Sequence, residues 1–190
     1  MGRKKGIWVA VVSLLVVVVA TGFFLLKPKG EPGEALSTTP TEIPTSVPTP
    51  RYEQTIGNFL ITGDEVCREE GKPAVYFFGS STCPHCVWEK PIAQKVFAEF
   101  EDLISYHENF DSDKDSSIYL KYADVNSGYV PFMVLGCRYA RVGGGESLGS
   151  NEEESKKLEE EALTAILCKL TSGNPDSVCD SVKDKTSEVK

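Results

Sequence analysis

The stretch Pro73–Cys86, which reads PAVYFFGSSTCPHC, decides the expected fold. It opens with Pro73–Gly79, a short apolar and aromatic run that is typical of a buried β-strand. Small turn residues follow, and Cys83–Cys86 then leads into a segment whose apolar residues recur at helical spacing as far as Phe100. The sequence therefore predicts a Cys-x-x-Cys pair where a buried strand gives way to the first turn of a helix.

This junction favours a reactive thiol. Cys83 would lie at the helix N-terminus, where unpaired backbone N–H groups and the helix dipole stabilise a thiolate. Cys86 follows one turn later, close enough to form or open a disulfide, and Pro84 is tolerated because first-turn N–H groups have no helical partner. His85 places a donor or a positive charge between the sulfurs. A stabilised thiolate makes the disulfide form a stronger oxidant, so the pair is predicted to be redox-active.

Other roles for the pair are less well supported by the sequence. A zinc site needs four ligands, and the pair supplies two, with His85 and His107 as the only histidines. Haem attachment needs a histidine directly after the second cysteine, where Val87 stands. An inert structural disulfide is the third alternative, although so tight a loop is strained and suits redox cycling better. We expect no metal.

The rest of the chain predicts alternating helices and strands. The expected elements are a helix over Gly63–Glu70 capped near Thr62, a strand over Leu103–Phe110, a helix over Ser116–Val125, and a hairpin of residues 130–135 and 137–142. Gly143–Gly145 is expected to be flexible. A last helix then begins with a capping box of Ser150 and Glu153 and carries one apolar face.

The sequence STCPHC after PAVYFFG resembles the thioredoxin superfamily, and the CPHC loop is similar to that of DsbA-like oxidases of the bacterial periplasm. Pro91 stands where thioredoxins carry a helix-kinking proline, and Val130–Pro131 matches the family's cis-proline loop, which faces the active site and holds substrate backbone. The resemblance covers residues 55 to 171. It implies an α/β thioredoxin-like fold, with a central mixed sheet flanked by helices. It also implies substrate binding by Val130 and Pro131, and no cofactor beyond the Cys83–Cys86 disulfide.

Two departures from the family pattern stand out. Thioredoxins place a buried acid, which helps to move protons, six residues before the first cysteine, and Phe77 occupies that position here. Glu89 is a candidate substitute, although a surface helix residue is its simpler interpretation. The stretch between Cys86 and Val130 is also too short for the helical insertion of DsbA-like proteins, so a broad peptide groove is not expected.

Four further cysteines make an even remainder, as expected for structural disulfides in an oxidising compartment. Of the three pairings, Cys168–Cys179 with Cys67–Cys137 is favoured. Turn residues separate the first pair, and in a thioredoxin-like fold both members of the second reach the end opposite the active site. A second redox pair used for electron relay is the alternative.

An apolar run near the N-terminus predicts a membrane anchor. Ile7–Leu26 is a run of 20 residues without a charge. As a helix it would span roughly 30 Å, the thickness of a bilayer core. Three basic residues precede it, so residues 1–6 are expected in the cytoplasm. A cleaved signal peptide is the alternative, but its apolar region is shorter. We expect an uncleaved transmembrane signal-anchor over residues 7–26.

The remaining organisation follows from composition. Residues 27–50 contain six prolines and few apolar side chains, which predicts an extended, semi-rigid linker. A thioredoxin-like domain is expected over residues 51–171, followed by a tail over 172–190 that a disulfide pins down. From residue 51 onward the chain has 15 Lys plus Arg against 25 Asp plus Glu. So acidic a surface repels nucleic acid, and no nucleic-acid partner is expected.

These features predict a single-pass membrane protein whose catalytic domain is extracytoplasmic. The expected function is thiol–disulfide exchange, most simply as a dithiol oxidase that introduces disulfides into exported proteins through Cys83 and Cys86. The resemblance implies reoxidation by a membrane partner, either DsbB-like or similar to vitamin K epoxide reductase. A reductase or isomerase would use the same residues in the opposite direction. A non-catalytic thioredoxin-like binding module is the alternative from another class.

Overall fold

The computed structural model describes residues 52–190. The predicted anchor over 7–26 and the predicted linker over 27–50 lie outside the described residues. Between Tyr52 and Lys190, no helix is long and apolar enough to cross a bilayer.

The described chain forms a mixed α/β structure around one sheet. Its strands are β1 (Glu53–Gln54), β2 (Leu60–Ile61), β3 (Arg68–Glu69), β4 (Lys72–Gly79), β5 (Ser105–Phe110), β6 (Phe132–Leu135) and β7 (Tyr139–Val142). The order across the sheet is β1-β2-β7-β6-β4-β3, and β5 also pairs with β4. The β4–β5 pair is parallel, whereas the other pairs are antiparallel.

Helices cover both faces of this sheet. They are α1 (Pro84–Ala98), α2 (Ser116–Lys121), α3 (Glu152–Leu170), α4 (Asp176–Cys179) and α5 (Lys183–Glu188), with 3-10 turns at Ile56–Asn58 and Asp180–Val182. Strand β4 is buried on both sides because successive side chains point to opposite faces. Val75 and Phe77 join the larger core with α1 and α3, whereas Tyr76 and Phe78 pack against Tyr119 and Tyr122.

Most of the predicted elements are confirmed, namely the buried strand, the helix after the Cys-x-x-Cys pair and the hairpin around Gly136. The helix predicted over Gly63–Glu70 is wrong. Its last part is β3, which forms a hairpin with β4 because Glu70 and Gly71 both have positive φ, 51° and 84°, as a tight two-residue turn requires. Thr62 caps no helix, because none follows it directly; its hydroxyl accepts the Asp64 N–H at 3.1 Å and donates to the Cys137 carbonyl at 2.7 Å.

The start of α3 differs from the prediction by one residue. Asn151, rather than Ser150, is the N-cap, and its side-chain oxygen accepts the Glu154 N–H at 2.9 Å. The Glu154 carboxylate in turn accepts the Ser150 N–H at 2.7 Å. The reciprocal logic of a capping box is retained in a shifted register.

The last residues fold back onto the domain. Residues 172–190 form α4, a 3-10 turn and α5, and they place Val182 and Val189 in the larger core. The Tyr139 hydroxyl donates to the Lys190 carbonyl at 2.9 Å, which ties the tail to β7. The segment is therefore part of the folded unit.

The two disulfides are those that the sequence favoured. Cys67 is bonded to Cys137 with their Cα atoms 5.4 Å apart, and Cys168 to Cys179 with theirs 5.6 Å apart. Cys137 lies in the turn between β6 and β7. Because β6 runs antiparallel to β4, this turn lies at the opposite end of the sheet from Gly79, where the chain leads to Cys83.

Candidate active site

The turn between β4 and α1 is held in place by Asp111. The Asp111 carboxylate accepts the Ser80 hydroxyl at 2.7 Å and the Ser81 N–H at 3.1 Å. The Cys83 N–H donates to the Ser80 carbonyl at 3.2 Å. These contacts deliver Cys83 to the N-cap position of α1, and Pro84 occupies the first helical position.

The two thiols of the pair have different surroundings, and both are free in this structure. Cys83 is partly exposed, and its Sγ accepts the backbone N–H of Cys86 at 3.3 Å. Cys86 is fully buried in the first turn of α1. Burial raises the pKa of the Cys86 thiol to about 12, and hydrogen bonding to Cys83 adds to the rise. Cys83 is thus the sulfur that another thiol can reach, whereas Cys86 holds its proton.

Val130 and Pro131 lie opposite the pair, as predicted. The Val130–Pro131 peptide bond is cis, and Cys83 Sγ lies 3.6 Å from the Val130 carbonyl oxygen. Asn126, a residue that the sequence did not single out, shapes the preceding loop. It is buried, accepts the Tyr129 N–H at 2.8 Å and donates to the Tyr129 carbonyl at 3.0 Å.

His85 is exposed and is paired with an acid. Its Nδ1 lies 2.6 Å from Glu146 Oε2, and its side chain is 65% exposed. Glu146 follows the three glycines after β7, so the loop leaving the hairpin reaches the active-site turn. Trp88, one turn beyond, is half-buried.

Glu89 is not a surface residue, which corrects the simpler of the two expectations for it. It is fully buried together with Arg141 of β7 and Glu159 of α3. Arg141 Nη2 donates to Glu89 Oε1 at 2.9 Å and to Glu159 Oε1 at 2.6 Å, and Nη1 donates to Glu159 Oε2 at 2.6 Å. We call Glu89, Arg141 and Glu159 the buried cluster.

Gly143–Gly145 is not a flexible spacer, because it packs directly onto the buried cluster. The Gly145 N–H donates to Glu89 Oε2 at 2.9 Å, and the Gly143 carbonyl accepts from Arg141 Nε at 3.1 Å. A Cβ atom on Gly144 would lie 2.7 Å from Glu89 Oε2, and one on Gly145 would overlap the Glu159 carboxyl. Glycine is therefore required for close approach at both positions.

The buried cluster contains two acids and one base, which changes the ionisation of Glu89. Burial raises the pKa of Glu89 to about 9, Arg141 opposes the rise, and repulsion by and hydrogen bonding to Glu159 add to it. The buried cluster thus favours the protonated form of Glu89 at neutral pH. The position that holds an acid in thioredoxins is apolar here, since Phe77 is fully buried and its ring lies 5.0 Å from that of Phe110.

Sequence reasoning missed Arg141 and Glu159. The available signal was an arginine between the apolar residues Ala140 and Val142 of a short strand, since a charge there is buried only when it is paired. Among residues 52–190, no group of three or more His, Cys, Asp and Glu side chains is arranged to hold a metal ion.

The chain was compared with proteins of known family and structure. No protein-family model matches it, and comparisons with curated proteins and with solved structures found no significant match.

Proposed function

We propose that this chain is a membrane-anchored, extracytoplasmic thiol–disulfide oxidoreductase that acts as a dithiol oxidase through Cys83 and Cys86. One observation carries the proposal. A partly exposed thiol at a helix N-cap accepts a backbone N–H, and a fully buried thiol follows one turn later. This asymmetry suits a disulfide that is attacked at one sulfur and releases the other.

The arrangement around the pair supports a thioredoxin-like domain. The central strand β4 leads directly into the Cys-x-x-Cys helix and is flanked by the parallel β5 and the antiparallel β6. A cis Val130–Pro131 bond precedes β6 and faces Cys83. In this proposal the Val130 and Pro131 backbone holds an extended substrate segment beside the reactive sulfur.

The proposed reaction transfers two electrons from a substrate dithiol to the enzyme disulfide. A substrate thiolate attacks Cys83 Sγ, the Cys83–Cys86 bond breaks, and the electron pair leaves on Cys86 Sγ, which takes up a proton. The second substrate thiolate then attacks the substrate sulfur of the mixed disulfide and releases Cys83 as a thiolate. The products are a substrate disulfide and the reduced pair.

The proposed substrates are thiol-containing exported proteins. A membrane partner, either DsbB-like or similar to vitamin K epoxide reductase, would reoxidise the pair. An anchor in the same membrane would raise the effective concentration of that partner. No cofactor is required beyond the Cys83–Cys86 disulfide.

A reductase or isomerase is the second candidate, and the His85–Glu146 pair favours it. The Glu146 carboxylate lies 2.6 Å from the imidazole and offsets the charge that would otherwise stabilise the Cys83 thiolate. An offset charge makes the disulfide a weaker oxidant. The redox potential therefore decides between the two directions.

The test is the reduction potential of the pair in the full-length, detergent-solubilised chain. The protein is equilibrated in glutathione buffers, and mass spectrometry identifies which cysteines titrate. A value above about −150 mV supports the oxidase, whereas a value near about −270 mV makes the protein a reductase. Cys83→Ser should abolish thiol exchange, and Ser117→Ala, at an exposed position of α2, serves as a control away from the pair. A non-catalytic binding module would retain its binding in Cys83→Ser.

A further inference from the structure

We propose that Glu89 is the acid–base group that exchanges a proton with Cys86 when the Cys83–Cys86 disulfide opens and closes. The inference rests on the proposed function, because it assigns a role in that same thiol exchange. It concerns a residue of α1 and not the apolar Phe77 position of β4.

The helix places Glu89 next to Cys86. Residues three apart on a helix are neighbours, with about 5–6 Å between their Cβ atoms. Helical side chains also lean toward the N-terminus, so a long side chain at position 89 extends over the preceding turn, where Cys86 lies. Both residues are fully buried, which puts them on the same, core-facing side of α1.

The loop after β7 provides a second geometric link. Gly145 donates its N–H to Glu89 Oε2, and the next residue, Glu146, bonds His85 of the active-site turn. Consecutive Cα atoms are about 3.8 Å apart. The Glu89 carboxyl is thus held toward the active-site end of α1. Arg141 lies near the same end of the sheet, because it pairs with Met133, which follows Pro131 by two residues.

The surroundings of Glu89 leave it able to gain and lose a proton. Arg141 faces it from β7, Glu159 from α3 and the Gly145 amide from the loop. On its own helix, Cys86 is the buried residue three positions before it. Arg141 balances one carboxylate. In the described part of the chain, no second cation bonds either carboxyl of the buried cluster. A proton on Glu89 neutralises the remaining charge.

The direction of transfer follows from the two environments. With a pKa of about 9 for Glu89 and about 12 for Cys86, a protonated Glu89 gives its proton readily to a newly released Cys86 thiolate. When an incoming thiolate attacks Cys83 Sγ and opens the disulfide, the electron pair goes to Cys86 Sγ. The Glu89 proton then moves to Cys86 Sγ. Glu89 is left as a carboxylate and later takes a proton from solvent. In the reverse step the same carboxylate removes the Cys86 proton.

The test measures how fast dithiothreitol reduces the Cys83–Cys86 disulfide in the full-length chain between pH 6 and pH 10. Acid quenching, alkylation and mass spectrometry separate this pair from the other disulfides. Wild type is compared with Glu89→Gln and Glu159→Gln. The matched control is Glu160→Gln, because Glu160 lies beside Glu159 on α3 but pairs with Lys95 outside the buried cluster. Rate ratios cancel the ionisation of dithiothreitol itself.

At pH 7 we expect Glu89→Gln to be reduced about a hundredfold more slowly than wild type, the lower range for a positioned acid. The ratio of the wild-type rate to the Glu89→Gln rate should fall as the pH rises through about 9, where wild-type Glu89 loses its proton. Glu159→Gln keeps Glu89 but removes the neighbouring carboxyl that raises its pKa. The reduction rate of Glu159→Gln should therefore fall to that of Glu89→Gln at a lower pH than the wild-type rate does. Glu160→Gln should behave as wild type.

Equal rates for wild type and Glu89→Gln at every pH would overturn the inference. So would equal slowing of Glu89→Gln and Glu159→Gln with no pH dependence in the ratios, since that pattern belongs to a cluster that only supports the fold. If Glu89→Gln does not fold, wild type and Glu159→Gln are compared with each other. The same pH dependence of the reduction rate in both would contradict a catalytic role for Glu89. A wild-type disulfide inert to dithiothreitol would instead refute the proposed function itself.

Discussion

Each face of the sheet carries a basic side chain held between two carboxyls. On one face lies the buried cluster, in which the side chains of Glu89, Arg141 and Glu159 are at most 3% exposed. On the other face, His107 Nε2 lies 2.8 Å from Glu69 and Nδ1 lies 3.1 Å from Asp115, with side-chain exposures of 17%, 41% and 20%. We call this second set the half-exposed cluster.

The pKa values of Glu89 and Glu69 are shifted in opposite directions, in line with the difference in exposure. Burial raises the pKa of Glu89 to about 9 in spite of Arg141. The pKa of Glu69 is lowered instead, chiefly by the hydrogen bond from Ser105 and further by those from Tyr76 and His107, while its modest burial opposes the change. An opposite charge nearby is therefore not enough to keep a carboxyl ionised, because the cost of removing it from water can exceed the attraction.

The largest effect should come from removing the base of the buried cluster. Arg141→Met leaves two buried carboxyls without their cation, which should lower the free energy of unfolding by about 3–5 kcal/mol at pH 7. Urea denaturation measures the change. Arg138→Met, in the same hairpin but outside the cluster, should cost about 0.5 kcal/mol. Equal losses in the two variants would contradict the role of Arg141 as the cation that stabilises the buried cluster.

The pH dependence of stability should show the raised pKa of Glu89. Folded Glu89 binds a proton that the unfolded chain releases above pH 4.5, so its contribution to stability falls as the pH rises toward about 9. The slope is at most about 1.4 kcal/mol per pH unit, or about 2.7 kcal/mol between pH 7 and pH 9. Glu89→Gln should remove this decline in urea titrations, and an unchanged slope would argue against a protonated Glu89.

A smaller effect is expected where the loop covers the buried cluster. Gly145→Ala places a Cβ atom against the Glu159 carboxyl and should cost about 1–3 kcal/mol, as overpacking does. Gly128→Ala is a useful control, because its φ of 111° adds backbone strain, which Gly145 lacks, while its Cβ would meet nothing within 4 Å. A larger loss at Gly145 than at Gly128 in thermal unfolding would isolate the steric contribution from backbone strain.

The half-exposed cluster should give the smallest change, with the opposite sign of pH dependence. Folded Glu69 has a lowered pKa, so its contribution is present above about pH 4.5 and is lost as the pH falls. Glu69→Gln should cost about 0.2–1 kcal/mol at pH 7 and less at low pH, as for exposed ion pairs. Glu70→Gln, at the adjacent exposed position, is the control. A cost that grows on acidification would contradict this sign.

The local rules of sequence predicted the parts of the fold that depend on short-range pattern. The apolar run at β4, the cysteine pair at the helix N-terminus and the spacing of α1 and α3 were all readable. The segment after Thr62 was not, because its geometry depends on the Cys137 carbonyl, which is 75 residues away. Glu70 in a left-handed conformation also gives no sequence signal, since the residue type is more typical of helices.

The candidate site divides in the same way. Cys83, Cys86, His85 and Pro131 belong to motifs and were found as motifs. Glu89 was misjudged because Glu next to Lys90 on a helix is indistinguishable from a solvated pair, and only Arg141, 52 residues later, shows that it is buried. Long-range pairing of charges is invisible to periodicity, which records whether a face is apolar and not which partner it meets.

The separation of the six cysteines has a consequence for biosynthesis. The native state requires Cys67 to find Cys137, 70 positions along the chain, whereas Cys83 and Cys86 are three apart. Closing a short loop is entropically cheaper, and six thiols allow about 15 complete pairings. A newly made chain therefore reaches its local pair well before its long-range one. Formation of the Cys67–Cys137 disulfide is therefore expected to be the last oxidation step of maturation, and it requires the same kind of disulfide-forming chemistry that this protein is proposed to perform.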